Sequence, residues 1–328
     1  MKKYFDNKIV IIIHATMINH METLSKMTFW LILTALIMPM GACTVFNVRY
    51  RSWDRNIERD ADGVAVFALP YTLGDGDTAL LLVHGFGDSP QVWSELAPEL
   101  AERGYTVRAM RLPGWGEPPA VKRALRREEW FEAIEAEVHA LRKTHPEVVV
   151  LAHSMGGALT AWLAVNDRLE ADALVLYAPM FDIANDRSPV LSTRQWFEVG
   201  DRILPRRMLV ESLFPDHARV NPPRPRTLRD PFVPNHIYRL LYQTMDDLRE
   251  PGARVNFPVQ LVLPGEDRVV RSDAAEAWFK ALQAPAKTLH IEEPAGHVLP
   301  MDLHFSREAD RIHLWIQKQG INNPGSTP

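Results

Sequence analysis

The 328-residue sequence predicts an α/β fold with a mainly parallel central sheet flanked by helices. From about Val64 onward, short apolar runs alternate with amphipathic stretches, a pattern typical of successive strand–helix–strand units. The chain is long enough to bury a full core, and its hydrophobic content of 46% and charged content of 24% are ordinary for a soluble enzyme. The formal net charge of -4 indicates no basic surface for nucleic acid.

The first elements are predicted from the spacing of their apolar residues. Uninterrupted apolar runs indicate buried parallel strands, and apolar residues three or four positions apart, such as Trp130, Ile134 and Val138, indicate helices. A turn rich in Pro and Gly at Leu112–Gly116 ends the second strand. In chain order the predicted elements are a strand Ala79–Val83, a helix Pro90–Arg103, a strand Tyr105–Met110, a helix Glu128–His145, a strand Val148–Leu151, a helix Met155–Val165 and a strand Ala173–Tyr177.

The alternation stops between Phe181 and Phe257, where Pro and Arg are frequent and no buried strand run occurs. It returns with a strand Val259–Leu263, a helix Ser272–Leu282, a strand Thr288–Ile291 and a helix Phe305–Lys318. We therefore predict a core formed by 64–180 and 258–318, a helical cap inserted at 181–257, and a flexible tail at 319–328.

The N-terminal region has the pattern of a secretory signal. No residue between Lys26 and Arg49 is charged, and the apolar stretch ends in small residues before Cys43, the one cysteine of the chain. The sequence Met40–Cys43 resembles a bacterial lipobox, in which signal peptidase cuts before a cysteine that carries lipid. We predict a signal peptide and lipobox at 1–43 and lipidation of Cys43. The lipid would anchor the protein at a membrane surface of the cell envelope. The residue after the cysteine is compatible with sorting to an outer membrane.

Other interpretations of this region stay open. A plain secretory signal would leave the protein secreted or periplasmic, and the uncharged residues 27–48 are just enough to cross a bilayer as an anchor. Pro39 and Gly41 weaken a continuous spanning helix, and Met21 is an alternative start because METLSK then supplies the charged segment of a signal. With Cys43 lipidated, no cysteine remains for a disulfide.

The sequence AHSMGG at Ala152–Gly157 lies between a predicted strand and a predicted helix. A serine there sits on a sharp turn, so that its hydroxyl projects from the carboxyl end of the sheet. Small residues are needed two positions to either side because strand and helix approach closely, and G-x-S-x-G is the usual form. Ala152 adds only a methyl group to that form. We predict that Ser154 is a nucleophile, the alternative being a serine that caps a helix.

A serine hydroxyl is a weak nucleophile without a base, and the base needs an acid that orients it. In this architecture the acid and then the histidine follow the serine in the chain. Asp267 comes just after the predicted strand Val259–Leu263, and His297 just after the predicted strand Thr288–Ile291. Both therefore lie at carboxyl ends of strands, as Ser154 does, and the sequence predicts that the three side chains meet.

Each of these residues has rivals nearby. Glu266 and Asp302 are alternative acids, but Asp267 is better placed in its loop. The alternative bases are His290 inside a strand, His304 at a helix start, and His153, which flanks the serine and is expected to point toward the sheet in a packing role.

Backbone N–H groups are expected to stabilise the oxyanion of the reaction. The start of the helix after Ser154 offers the N–H of Met155. The loop His84–Asp88 contains two glycines that let a second N–H turn inward, and we assign this donor to Phe86. An ordinary glycine-rich turn is the alternative interpretation of that loop.

Five sequence motifs in the expected order make the chain resemble an α/β-hydrolase over about Val64 to Lys318. The motifs are LVHGFG at 82–87, LPGWG at 112–116, AHSMGG at 152–157, GEDRVV at 265–270 and AGH at 295–297. Monoacylglycerol lipases and carboxylesterases are the most similar branch, and serine-aminopeptidase-like hydrolases are also similar. The resemblance implies a two-step acyl transfer through Ser154, His297 and Asp267. Ala152 and Trp115, where this group often has glycine and histidine, are departures that remove no catalytic atom.

The function that these observations favour is hydrolysis of a carboxylic ester, such as a monoacylglycerol, with a medium or long acyl chain. The cap contains enough apolar side chains to line a pocket for such a lipid substrate. These are Met180, Phe181, Trp196, Phe197, Leu204, Met208, Leu209, Leu213, Phe214, Phe232, Ile237, Tyr238, Leu241 and Tyr242. An acyltransferase, an amidase or peptidase, and a non-catalytic envelope lipoprotein are the alternatives.

Several other functions are disfavoured by composition and motifs. A peptidase that binds a free N-terminus would want carboxylates in the cap, but residues 181–257 hold 10 Asp and Glu against 12 Arg and no Lys. Dehalogenases and epoxide hydrolases need a carboxylate where Ser154 stands. No phosphate-binding loop or metal-ligand spacing of histidines occurs, so we predict no cofactor and no metal.

Overall fold

A computed structural model describes residues 41, 43–185, 190–212, 214, 229–249 and 253–321. The predicted signal segment lies outside these residues except for Gly41 and Cys43, as do the cap residue Leu213 and the end of the predicted tail. Within the described ranges, no helix combines the length and the hydropathy that crossing a bilayer would need.

The first half of the chain builds one edge and the centre of the sheet. Short 3-10 helices lie at Val66–Ala68 and Pro90–Trp93. The other elements are helix α1 (43–54), strands β1 (Tyr71–Leu73) and β2 (Thr78–Val83), helix α2 (Leu96–Glu102), strand β3 (Thr106–Met110), helices α3 (Pro119–Ala124) and α4 (Arg127–Arg142), strand β4 (Glu147–His153), helix α5 (Met155–Val165) and strand β5 (Ala173–Tyr177).

The second half adds the cap and the other edge of the sheet. The cap elements are helix α6 (Thr193–Ile203), strands β6 (Leu209–Glu211) and β7 (Phe232–Pro234), and helix α7 (Asn235–Asp247). The remaining elements are strand β8 (Val259–Pro264), helix α8 (Ser272–Ala281), strand β9 (Lys287–Glu292) and helices α9 (Leu299–Asp302) and α10 (Phe305–Lys318).

The described strands of the core form a seven-stranded sheet in the order β1-β3-β2-β4-β5-β8-β9. Only the edge pair β1–β3 is antiparallel; the other neighbours are parallel. Strands β2, β5 and β8 are buried along their whole length, which explains their uninterrupted apolar runs. The α/β fold with a mainly parallel sheet is confirmed, and the parallel arrangement brings the carboxyl ends of β2, β4, β8 and β9 to one edge.

Some element boundaries differ from the sequence prediction. The helix expected at Pro90–Arg103 is divided, because Ser89 caps a short 3-10 turn and a separate α-helix begins at Leu96. The predicted start of the flexible tail, residue 319, is too early, because Ile321 is only 6% exposed and packs in the core beside α10. Residues 322–328 lie outside the described part of the chain.

In its described residues, the cap inserted between β5 and β8 contains two helices and a two-stranded antiparallel ribbon, β6–β7. Helix α1 packs against this ribbon. The rings of Tyr50 and Trp53 lie 5.7 and 5.8 Å from the ring of Phe232, and Arg49 pairs with Glu211 at 2.6 Å. The segment that follows Cys43 is therefore in direct contact with the cap.

Candidate active site

Ser154 occupies the turn between the central strand β4 and helix α5. Its backbone has φ 52° and ψ -115°, a left-handed conformation that is costly for a residue with a side chain. Two hydrogen bonds hold the turn: the Ser154 N–H donates to the carbonyl of Tyr177, and the Ser154 carbonyl accepts from the N–H of Met180, each at 2.9 Å. The surrounding sheet thus imposes the strained conformation that aims the hydroxyl away from the strand.

The close approach of α5 to β2 depends on Gly156. A Cβ atom there would lie 2.5 Å from the carbonyl oxygen of His84 and 2.9 Å from that of Val83, and neither backbone atom can move aside cheaply. Ala152 on β4 is fully buried, so the methyl group that departs from G-x-S-x-G is accommodated inside the core.

Replacing Gly156 by alanine is expected to lower the free energy of unfolding by about 1–3 kcal/mol, because overpacking against backbone forces helix and strand apart. The matched control is Gly200→Ala in α6, where a Cβ meets only a Leu204 side-chain atom at 3.9 Å. That change is expected to raise stability by up to about 1 kcal/mol through helix propensity. Urea unfolding of both variants measures the difference, and equal effects would contradict the packing argument.

The structure brings Ser154, His297 and Asp267 into one chain of hydrogen bonds. Nε2 of His297 lies 2.9 Å from Oγ of Ser154, and Nδ1 of His297 lies 2.8 Å from Oδ2 of Asp267. Ser154 is 2% exposed and His297 is 5% exposed, so these contacts form away from bulk water. A histidine held in this way can take the serine proton through Nε2 while Nδ1–H donates to the carboxylate.

The environment of Asp267 keeps its carboxylate charged. Burial alone would raise the pKa of Asp267, but attraction to His297 and the hydrogen bond from His297 oppose burial. The N–H groups of Val269 and Val270 also donate to Oδ1, at 2.8 and 2.9 Å. Together these contacts hold the pKa of Asp267 below its ordinary value.

The two predicted oxyanion donors flank the serine. Met155 is the first residue of α5, and Phe86 lies in the loop after β2. A Cβ atom on Gly85 would be 3.0 Å from the Cβ of Ser154, so this loop contacts the serine directly. Among the main-chain hydrogen bonds of the described loops, turns and caps, none is donated by the N–H of Phe86 or of Met155, as two donors to a substrate oxygen would require.

Two buried histidines support the site in ways that the sequence did not indicate. His84 accepts from the N–H of Leu112 through Nε2 at 3.0 Å, and its Nδ1–H donates to the carbonyl of Gly85 at 2.9 Å. His153 was expected to point toward the sheet, but its Nε2–H donates to the main-chain carbonyl of His297 at 3.0 Å. These residues position the loops that carry Phe86 and His297.

The rival residues are engaged elsewhere. Glu266 binds Arg268, and Asp302 accepts from the N–H of Gly296 at 2.7 Å. His290 contacts Glu292 at 2.9 Å, and His304 is exposed at the start of α10. Within the part of the chain that the structure describes, no three side chains of His, Cys, Asp or Glu come together as a metal ion would require.

Aromatic side chains from the cap cover the site. The ring of Phe86 lies 5.0 Å from Trp115 of the core, 5.2 Å from Phe214 and 5.2 Å from Tyr238 of the cap. Trp196, which the sequence suggested as a pocket residue, is instead 51% exposed. The residues of that predicted set that are buried are Met180, Phe181, Met208, Leu209, Phe232, Ile237, Leu241 and Tyr242.

Comparisons with known proteins agree with this architecture. The profile of a family described as Serine aminopeptidase, S33 matches residues 74–304. A pimeloyl-[acyl-carrier protein] methyl ester esterase of Klebsiella pneumoniae is 32% identical over 120 residues, which cover 35% of this chain and only 42% of that esterase. A thermostable monoacylglycerol lipase of a Bacillus strain is 26% identical over 72% of this chain and 88% of its own length.

Solved structures show the same fold. A structure from work on two metagenome-derived lipolytic enzymes superposes with a TM-score of 0.66 at 24% identity. The match covers 78% of this chain and 99% of that chain.

Proposed function

We propose that this chain, which belongs to the serine aminopeptidase S33 family and is a serine hydrolase of the esterase and lipase type, cleaves carboxylic esters of medium or long acyl chains. The observation that carries the proposal is the continuous hydrogen-bonded chain from Ser154 through His297 to Asp267. The names of the matched relatives, a methyl ester esterase and a monoacylglycerol lipase, support an ester substrate.

The geometry suggests a mechanism in two halves. Nε2 of His297 accepts the proton of Ser154 as the serine oxygen attacks the ester carbonyl, and the negative oxygen that forms faces the N–H groups of Phe86 and Met155. The protonated histidine then gives its proton to the departing alcohol, leaving an acyl-serine. In the second half His297 removes a proton from water as the water attacks the acyl group, and it then gives that proton to Oγ of Ser154 as the bond to the acyl group breaks and the acid is released.

An ester fits the cap better than a free N-terminus does. A substrate ammonium group needs an available carboxylate, but each described acidic residue of 181–257 is already paired with a cation. The pairs are Asp182 with Arg271, Glu198 with Arg194, Asp201 with Arg239, Glu211 with Arg49, Asp230 with Lys122, Asp246 with Arg194 and Asp247 with Arg127. The aromatic cover of Phe214 and Tyr238 suits an acyl chain.

Hydrolysis of p-nitrophenyl esters from acetate to palmitate tests the proposed function. The chain from residue 44 is compared with its Ser154→Ala variant, which provides the blank for each ester. The proposal predicts Ser154-dependent hydrolysis with its highest kcat/KM at a medium or long acyl chain. Activity confined to amides, or activity that survives Ser154→Ala, would overturn it.

We also propose that the protein is a lipoprotein of the cell envelope, anchored through Cys43 with its cap near the membrane surface. The N-terminal signal and lipobox pattern supports this, and so does the direct contact of helix α1 with the cap ribbon. Cys43→Ser is expected to release the protein from the membrane fraction, because the lipid would have no attachment point. Immunoblots of membrane and soluble fractions measure this. Unchanged fractionation would favour an uncleaved anchor instead.

A further inference from the structure

Asp230 is a buried residue of the cap that binds two core loops at once. Its N–H donates to the carbonyl of Gly87 at 3.0 Å, and its Oδ2 accepts from the N–H of Gly116 at 2.8 Å. Gly87 directly follows Phe86, and Gly116 directly follows Trp115, the aromatic residue whose ring packs on Phe86. Asp230 therefore binds the chain immediately beyond each member of this aromatic pair.

A second buried charge holds Asp230 in place. Nζ of Lys122, on helix α3, donates to Oδ2 of Asp230 and, at 2.9 Å, to the carbonyl of Phe232 on β7. The side chains of Lys122 and Asp230 are 2% and 1% exposed. Burial lowers the pKa of Lys122, and the charge of Asp230 opposes this effect.

Stability alone is a weak reason for such a pair. Removing two charges from water is expensive, and apolar residues of similar volume often serve a core equally well. What an apolar pair could not supply is the acceptor for the Gly116 N–H and the bond from Lys122 that fixes residue 230, whose main-chain N–H binds the loop after β2. The ion pair therefore fixes the position of residue 230, and the N–H of residue 230 binds the loop that carries Phe86, a proposed oxyanion donor.

The cap also touches this loop through side chains: Phe214 and Tyr238 pack on the ring of Phe86, and Arg229 pairs with Asp88 at 3.5 Å. Gly87 has φ +71°, and a turn closed by the Asp88 N–H to the Gly85 carbonyl, at 3.3 Å, surrounds Phe86. The Gly87 carbonyl of this turn accepts the hydrogen bond from the N–H of Asp230. A shift of Asp230 would rotate the turn and move the Phe86 N–H relative to Ser154.

We propose that Asp230, fixed by Lys122, is a positioning residue that lets the cap set the orientation of the oxyanion donor Phe86. This inference rests on the proposed function. In this proposal Asp230 and Lys122 influence the reaction without contacting substrate. The geometry of the oxyanion site then depends on how the cap packs against the core.

The test compares kcat and KM in full-length Asp230→Ala, Asp230→Asn and wild-type protein, on the p-nitrophenyl ester that wild type hydrolyses best. Rates are divided by the concentration of sites that react to completion with a fluorophosphonate, so unfolded protein does not count. Glu308→Gln is the matched control, because it breaks a different buried pair, in which Nε of Arg311 donates to Glu308 at 2.7 Å on α10.

The expected result is that Asp230→Ala lowers kcat at least about tenfold, since one oxyanion donor is worth about 10²–10³ in kcat, while KM changes by less than about threefold. Asp230→Asn keeps an oxygen for the Gly116 N–H and should lose less. Glu308→Gln should lower the melting temperature but leave kcat per site unchanged.

Wild-type kcat per site in Asp230→Ala, or an equal loss in Glu308→Gln, would overturn the inference while leaving the proposed function intact. If Asp230→Ala does not fold, the same criterion applies to Asp230→Asn. Failure of the proposed function is recognised separately, as absence of Ser154-dependent hydrolysis in the wild-type protein.

Discussion

Ser154→Ala, His297→Ala and the double variant are all expected to lower kcat by about the same factor, on the order of 10⁶. The losses should be equal because Ser154 and His297 act through one shared hydrogen bond of 2.9 Å. A serine without its base is expected to give no more catalysis than an alanine at the same position. Initial rates on one p-nitrophenyl ester measure the three losses, with circular dichroism to show that each variant is folded.

The control for this prediction is His290→Ala. His290 lies on the neighbouring strand β9 and contacts Glu292 rather than the serine, so its loss should leave kcat close to wild type. If the double variant loses the product of the two single losses, Ser154 and His297 act independently and the proposed mechanism is wrong.

Asp267→Asn is expected to lower kcat about 10⁴-fold with little change in KM. The asparagine preserves the shape of the side chain but removes the charge that stabilises protonated His297 and fixes its tautomer. Glu266→Gln is the neighbouring control and should retain activity, because Glu266 binds Arg268 instead. Similar losses in the two variants would mean that the acid has been misassigned.

The lowered pKa of Asp267 also predicts how its contribution to stability depends on pH. A carboxyl whose pKa is lower in the folded than in the unfolded state stabilises the fold above its ordinary value of 3.8, and this stabilisation disappears as pH falls through the folded value. Urea unfolding should therefore show a larger difference between wild type and Asp267→Asn at pH 7 than at pH 3. A difference that does not change with pH would contradict this.

The residues proposed for catalysis could be predicted because each obeys a local rule. Ser154, Asp267 and His297 all come shortly after apolar runs that form parallel strands, and parallel strands bring their carboxyl ends to one edge. The prediction needed only the order of the motifs, not the packing of the cap. Most strand positions were correct for the same reason, since buried parallel strands are continuous apolar runs.

The supporting residues could not be predicted in this way. Asp230 lies in a Pro- and Arg-rich stretch and is 108 residues from Lys122, so nothing local indicates that either charge is buried. Strands β6 and β7 have three residues each, too few to show an alternating pattern. The contact of His153 with His297 was missed because β4 continues to His153, beyond its predicted end, and places that ring beside the loop of His297.

In the proposed mechanism, Ser154 is the nucleophile that carries the acyl group. The most direct measurement is reaction with a fluorophosphonate followed by peptide mass spectrometry, in wild type and in His297→Ala. We expect a single adduct on Ser154 in wild type and a greatly slowed reaction in the variant, because the serine would lack its base. An adduct on a different residue, or ester hydrolysis that continues after Ser154 is fully labelled, would contradict it.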